Sequence, residues 1–159
     1  MKEVAVLLLV ALMLNGCGSS THTAQSASGG VWQAQLSGGD GTASGLSFVA
    51  QFTVGGNGAL SFQNFQFLTQ IDGGCFPVTG ASPSGTLDLT ANSAGTVTGT
   101  LSFVVVSGGN TLTLTSTSVT GTLNTTTNVI SGGSIIGTWA VTGGTGCNAG
   151  GTFTMSQSS

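Results

Sequence analysis

Seven side chains beyond residue 16 could do chemistry: Asp40, Asp72, Asp88, His22, Cys17, Cys75 and Cys147. The same stretch holds no Lys, Arg, Glu or Tyr. Hydrolysis by paired carboxylates needs two acids at a set separation, and the three Asp residues suggest no such pair. Asp40 and Asp72 each precede a Gly, which reads as turn chemistry. Asp88 lies between Leu87 and Leu89, so on a strand it points away from the apolar face. A Ser-His-Asp relay would have to use His22, which sits in a segment with no apolar periodicity to hold it. There is no CxxC pair for a metal, and no Gly-rich loop followed by Lys to cradle a phosphate. Without Lys or Arg there is no counterion release to drive nucleic-acid, phosphate or acidic-lipid recognition. The reading is therefore a non-enzyme, with no catalytic residue, no metal and no cofactor.

The N terminus carries the clearest address. Lys2 gives a short positive start, and residues 4–14 are an unbroken run of Val, Ala, Leu and Met. Such a run is too short to cross a bilayer as a helix, which takes roughly 20 residues, and suits the apolar part of a signal peptide. Leu14-Asn15-Gly16-Cys17 follows directly. Together these residues resemble the signal and lipobox of a bacterial lipoprotein. The resemblance implies cleavage before Cys17, a diacylglycerol on the Cys17 thiol and acylation of the new amino group. Small residues admit the backbone to a peptidase site, and a thiol is the nucleophile to alkylate. Two or three acyl chains hold a protein stably on a membrane where one is marginal. Gly18, not Asp, follows the Cys. In lipoproteins of this kind that implies the outer membrane, in a host with two membranes.

This divides the chain into residues 1–16 as a cleaved signal, 17–30 as lipidated Cys and flexible tether, and 31–159 as one β domain. Residues 18–30 read as Gly/Ser/Thr-rich linker, with an r.m.s. span of about 20 Å. Given export, the two remaining thiols, Cys75 and Cys147, are expected to form a disulfide. Closing that loop contributes about 4 kcal/mol in the chain-entropy model. Two buried free thiols are the alternative.

The elements that must build the domain read as strands. Nothing after residue 30 shows a helical stripe, because Gly or β-branched residues interrupt every window. Trp32, Ala34 and Leu36 share one face, as do Leu46, Phe48, Ala50, Phe52 and Val54. Gly55-Gly56-Asn57-Gly58 is a hairpin signal. Leu60 and Phe62 then shift phase to Phe65 and Phe67, which predicts a β-bulge near Gln63 and Asn64. A Gly-Thr unit followed by alternating apolar residues starts at Gly85, Gly99, Gly137 and Gly151, with a partial copy at Gly121. Its uneven spacings of 14, 22, 16 and 14 residues exclude a fixed-period solenoid. The sum is all-β: an antiparallel meander of about 8–10 strands. An up-and-down barrel is its simplest edge-free form, and a two-sheet sandwich is the alternative.

Gly30-Val31-Trp32 resembles the opening of lipocalin- and avidin-like barrels, where the Trp packs across the floor. The Gly/Ser/Thr-rich remainder resembles uncharacterised bacterial lipoproteins. Three roles fit. One is a structural or interaction module at the cell envelope, facing an envelope polymer. Another is a lipocalin-like carrier of a neutral small molecule, its lumen lined by Trp32, Phe48, Phe52, Phe65, Phe67 and Trp139. The third is a carbohydrate-contacting surface using Trp with Ser, Thr and Asn. The Thr111, Thr113, Thr115, Thr117 ladder resembles an ice-binding face, but uneven repeats argue against a flat array. The address has a direct check: Cys17→Ala releases the protein from the membrane fraction into the soluble one, and unchanged fractionation would refute the anchor.

Overall fold

A computed structural model describes residues 22–23, 28–38, 46–69, 80–124, 126–127, 129–143 and 149–158. Every regular element among them is a strand: β1 His22–Thr23, β2 Ser28–Ser37, β3 Ser47–Val54, β4 Leu60–Phe67, β5 Ser82–Ala91, β6 Thr96–Ser107, β7 Asn110–Asn124, β8 Val129–Thr142 and β9 Ala149–Ser158. They form one sheet in the order β1-β5-β6-β7-β8-β9-β2-β3-β4, and every adjacent pair in it is antiparallel. This is the expected meander as a nearly closed up-and-down barrel of eight long strands, not a sandwich. The last strand closes onto the first long one, pairing Val31 through Ser37 with Ser158 through Thr152. The seam falls between β4 and β5. There a single backbone pairing, Ala59 with Thr86, and a 2.8 Å bond from the Leu87 N–H to the Gly58 carbonyl hold the edges together.

Alternation decides which way each side chain points. The core gathers Trp32, Ala34, Leu36, Phe48, Ala50, Phe52, Leu87, Leu101, Phe103, Leu112, Leu114, Ile135, Trp139, Phe153 and Met155, all buried. The opposite faces of β5 to β9 carry mainly Thr and Ser. Apolar-in, polar-out is the reverse of a transmembrane barrel, whose outer band is apolar.

The Gly-Thr units acquire a reason in this setting. In each one the Thr faces out and the Gly occupies an inward position of the alternation. A Cβ at Gly85 would strike the Ser102 carbonyl, at Gly99 the Asp88 carbonyl, at Gly137 the Thr115 carbonyl and at Gly151 the Ser37 carbonyl. At Gly85, Gly99 and Gly137 the blocking oxygen belongs to the residue just before the glycine's cross-strand partner. Neighbouring strands coil so tightly that the wall tolerates no side chain there, the role glycine kinks take in closed sheets. Gly58 differs: it is a turn glycine with φ of 77°, and its open side faces the Asp88 carboxylate.

Bulges complete the curvature. The register of β3 with β4 skips Gln63, at the place the phase shift of Phe62 to Phe65 predicts. A second bulge at Thr117 interrupts β7 against β6 and β8 alike. It flips the inward positions from Leu112 and Leu114 to Val119 and Leu123, and so breaks the Thr111–117 ladder. The Ser116 hydroxyl compensates locally by accepting the Leu101 N–H at 2.6 Å.

One expectation changes. Residues 17–30 read as flexible tether, yet His22 and Thr23 pair with Ala91 and Thr90 of β5, and β2 begins at Ser28. The pairing is between backbones and leaves no apolar signature in the sequence, which is why side-chain periodicity does not disclose it.

Gly137→Ala tests the close approaches. Its methyl would meet the Thr115 carbonyl, the Phe153 ring at 2.7 Å and the Ser116 Cα at 2.7 Å. Overpacking of this kind costs about 1–3 kcal/mol, more where backbone must move. Urea denaturation should therefore show a loss of at least about 2 kcal/mol; a neutral effect would refute the steric account.

Candidate functional site

Six aromatic residues are the sequence's candidates for lining a lumen. The structure brings five of them together and sets one apart. Trp32 stacks on Phe52 with centroids 5.9 Å apart. Phe52 meets Phe62 at 5.7 Å, and Phe62 meets Phe103 at 5.2 Å. Phe103 stacks on Phe48 at 5.4 Å and 6°. Phe48 touches Phe65 at 5.1 Å and Phe67 at 6.2 Å, and those two touch each other at 5.0 Å. Edge-to-face and offset pairs of this kind add about 0.5–1.5 kcal/mol each beyond their buried area. Trp139 stands apart on β8, where its indole N–H donates to the Ser37 carbonyl at 3.1 Å.

Two members of this column, Phe62 and Phe103, escape the sequence reading as site residues. Phe62 shares the alternation of Leu60, and Phe103 ends a Gly-Thr unit, so the pattern marks both as inward. What it does not mark is their meeting. Gly85 pairs with Phe103 across β5 and β6 and offers no side chain to cover it. Phe62 and Phe65, half-buried at the β4 edge, take that place from the other side of the seam. An aromatic ring shielding a glycine near a sheet edge is a known device of β structure.

Phe48 and Phe103 are each 0% exposed. With no accessible surface, these two rings border no void large enough to hold a water. Trp32 and Trp139 are each 2% exposed, and neither offers a face to the outside. A hollow of about 370 Å³ lies elsewhere, at one end of the barrel where β2 and β8 begin and β9 ends. Val129, Ile130, Gly132, Gly30 and Gln157 line it. Gln157 is occupied in closing that end: its Nε2 donates to the Ile130 carbonyl at 2.7 Å, and its Oε1 accepts the Gly133 N–H at 3.3 Å.

Chemistry-bearing residues are sparse. Asp88 is the one acidic side chain among the described residues; it is exposed on β5, pointing outward as its place between Leu87 and Leu89 predicts. No group of three His, Cys, Asp or Glu that could hold a metal occurs among the described residues. No buried side-chain nitrogen or oxygen among them lacks a hydrogen-bond partner. Cys17, Cys75, Cys147, Asp40 and Asp72 lie outside the described residues. The chain matches no known protein-family model, no curated protein and no solved structure.

The column predicts where stability resides. Phe103→Ala removes the ring that stacks on Phe48 and meets Phe62, and should cost about 3–5 kcal/mol by chemical denaturation. Truncating a ring that bordered an open lumen would cost far less.

Proposed function

We propose that this chain is a lipid-anchored protein of the bacterial envelope whose barrel serves a structural or interaction role. The single observation that carries the reading is the interior. Phe48 and Phe103, at the centre of the aromatic column, have no accessible surface, so this part of the barrel is filled by its own side chains. Filled is the default for a barrel of this strand number. The anchor half of the reading rests on the resemblance of residues 1–17 to a lipoprotein signal. It assigns Cys17 as the acylated residue and the outer membrane as the address.

The other two roles draw less support. A lipocalin-like carrier needs a lumen, and the rings named for its lining spend their surface on one another. A carbohydrate surface built on Trp needs an exposed indole, and Trp32 and Trp139 are both buried. What the outer wall offers instead is neutral hydroxyl: Thr86, Ser102, Thr138 and Thr152 are all exposed. Such a face can accept or donate to an envelope polymer without charge.

The proposed Cys75–Cys147 disulfide rests on export alone, which favours pairing of the two remaining thiols.

Protein purified from its own host membranes tests all of this. A palmitate analogue should be incorporated, and lost in Cys17→Ala. Intact mass should rise by about two daltons on reduction, the two hydrogens of one disulfide. Native mass spectrometry should show no stoichiometric neutral ligand; a co-purifying one would overturn the structural role in favour of the carrier.

A further inference from the structure

The strand directions give the barrel two unlike ends. At one end lie the turns at residues 55–59, 92–95 and 125–128, the start of β2 and the end of β9. At the other lie the ends of β2, β4 and β8, the starts of β3, β5 and β9, and the turn at residues 108–109. β1 pairs with Thr90 and Ala91, so the chain coming from the N terminus is fastened at the first end.

We infer that the barrel stands on the bilayer with this first end toward the lipid, held there by the short stretch between Cys17 and β1 and meeting the lipid through turns that carry no ionisable side chain. The inference rests on the proposed acylation of Cys17. Three observations carry it.

The first is length. Five residue steps separate Cys17 from His22, a reach of about 17 Å when fully extended. A ten-residue strand such as β5 is about 33 Å long, or about 25 Å along the axis of a tilted barrel. The leash is shorter than the barrel, so the fastened end stays nearest the membrane. Counting residues 17–30 as free linker would allow any orientation; β1 removes that freedom.

The second is charge. Each turn of the first end is built on an asparagine. Asn57 accepts the Ala59 N–H at 3.1 Å, Asn92 the Ala94 and Thr96 N–H groups at 3.0 and 2.9 Å, and Asn124 the Thr126 N–H at 2.9 Å. The turns carry no ionisable side chain. Bacterial phospholipid surfaces are anionic, so turns without ionisable side chains approach them with little repulsion; among the described residues the one carboxylate is Asp88, which faces Gly58 beside this end.

The third is the apolar hollow of about 370 Å³, which opens at the first end beside Val129 and Ile130.

The test is photo-crosslinking in membranes of the native host with the full-length, processed protein. A photoreactive amino acid replaces Ala94 or Thr126 at the first end, or Ser82 or Thr142 at the other; all four side chains are exposed. Lipid adducts should form several-fold more from Ala94 and Thr126 than from Ser82 and Thr142. Equal or reversed yields in protein that carries the palmitate label would overturn the orientation and leave the lipoprotein reading standing. Absence of label, with the protein in the soluble fraction, would overturn both.

Discussion

The closed wall depends on four carbonyl oxygens that sit where a side chain would otherwise be. Ser102, Asp88, Thr115 and Ser37 each direct a backbone oxygen to the inner side of Gly85, Gly99, Gly137 and Gly151. A sheet that coils this strongly brings adjacent strands closer on the inside than a Cβ permits, and glycine is the one residue that leaves the room. The Thr after each Gly faces solvent and favours the extended backbone that glycine alone would not specify. One dipeptide thus supplies curvature inside and rigidity outside, and repeating it along the meander turns a flat ribbon into a barrel.

Coiling also explains the interior. Glycine at the inward positions leaves hollows that neighbouring strands must fill, and large rings fill them. Phe62 and Phe65 reach across the seam to Phe103, the partner of Gly85, while the Trp32 indole lies against Gly133. The seam therefore needs few ladder hydrogen bonds to stay shut, because ring packing supplies the cohesion that strand pairing lacks there. The cost is an interior with little space to give a guest. Outside, Thr, Ser, Asn and Gln take over the solvation that charged side chains provide in most domains. Backbone amides and short polar side chains then satisfy one another without ion pairs, as in the three asparagine turns.

Much of this was legible in the chain. The alternation from Leu46 to Val54 named its inward face correctly, and the jump from Phe62 to Phe65 located a bulge to the neighbourhood of Gln63 and Asn64. These signals are local, and side-chain period reports them directly. The Gly-Thr unit was visible as a repeat, but its purpose was not, because the oxygen that demands each glycine belongs to another strand. The pairing of His22 with Ala91 left no trace for the same reason: backbone bonds are indifferent to side-chain identity. Among the candidate rings, Phe48, Phe52, Phe65 and Phe67 converge as their shared phase implies. Trp139 does not, since phase says which residues point inward but not how far along the axis they lie.

The closure of β9 onto β2 places the last residues of the chain beside the first of the barrel; the Ser158 hydroxyl donates to the Val31 carbonyl at 3.0 Å. A wall joined in this way has no stable partial version. Until Ser158 is free, β2 lacks one neighbour and its inner Trp32, Ala34 and Leu36 lack half their cover. Contacts spanning nearly the whole chain are also the slowest to form. β9 must therefore be synthesised, and have crossed any membrane in the way, before the wall can close. During that interval the chain is an extended, nearly uncharged polymer rich in β-branched residues. Its frequent glycines, and the lack of a long unbroken apolar stretch after residue 30, are then its protection against pairing with copies of itself.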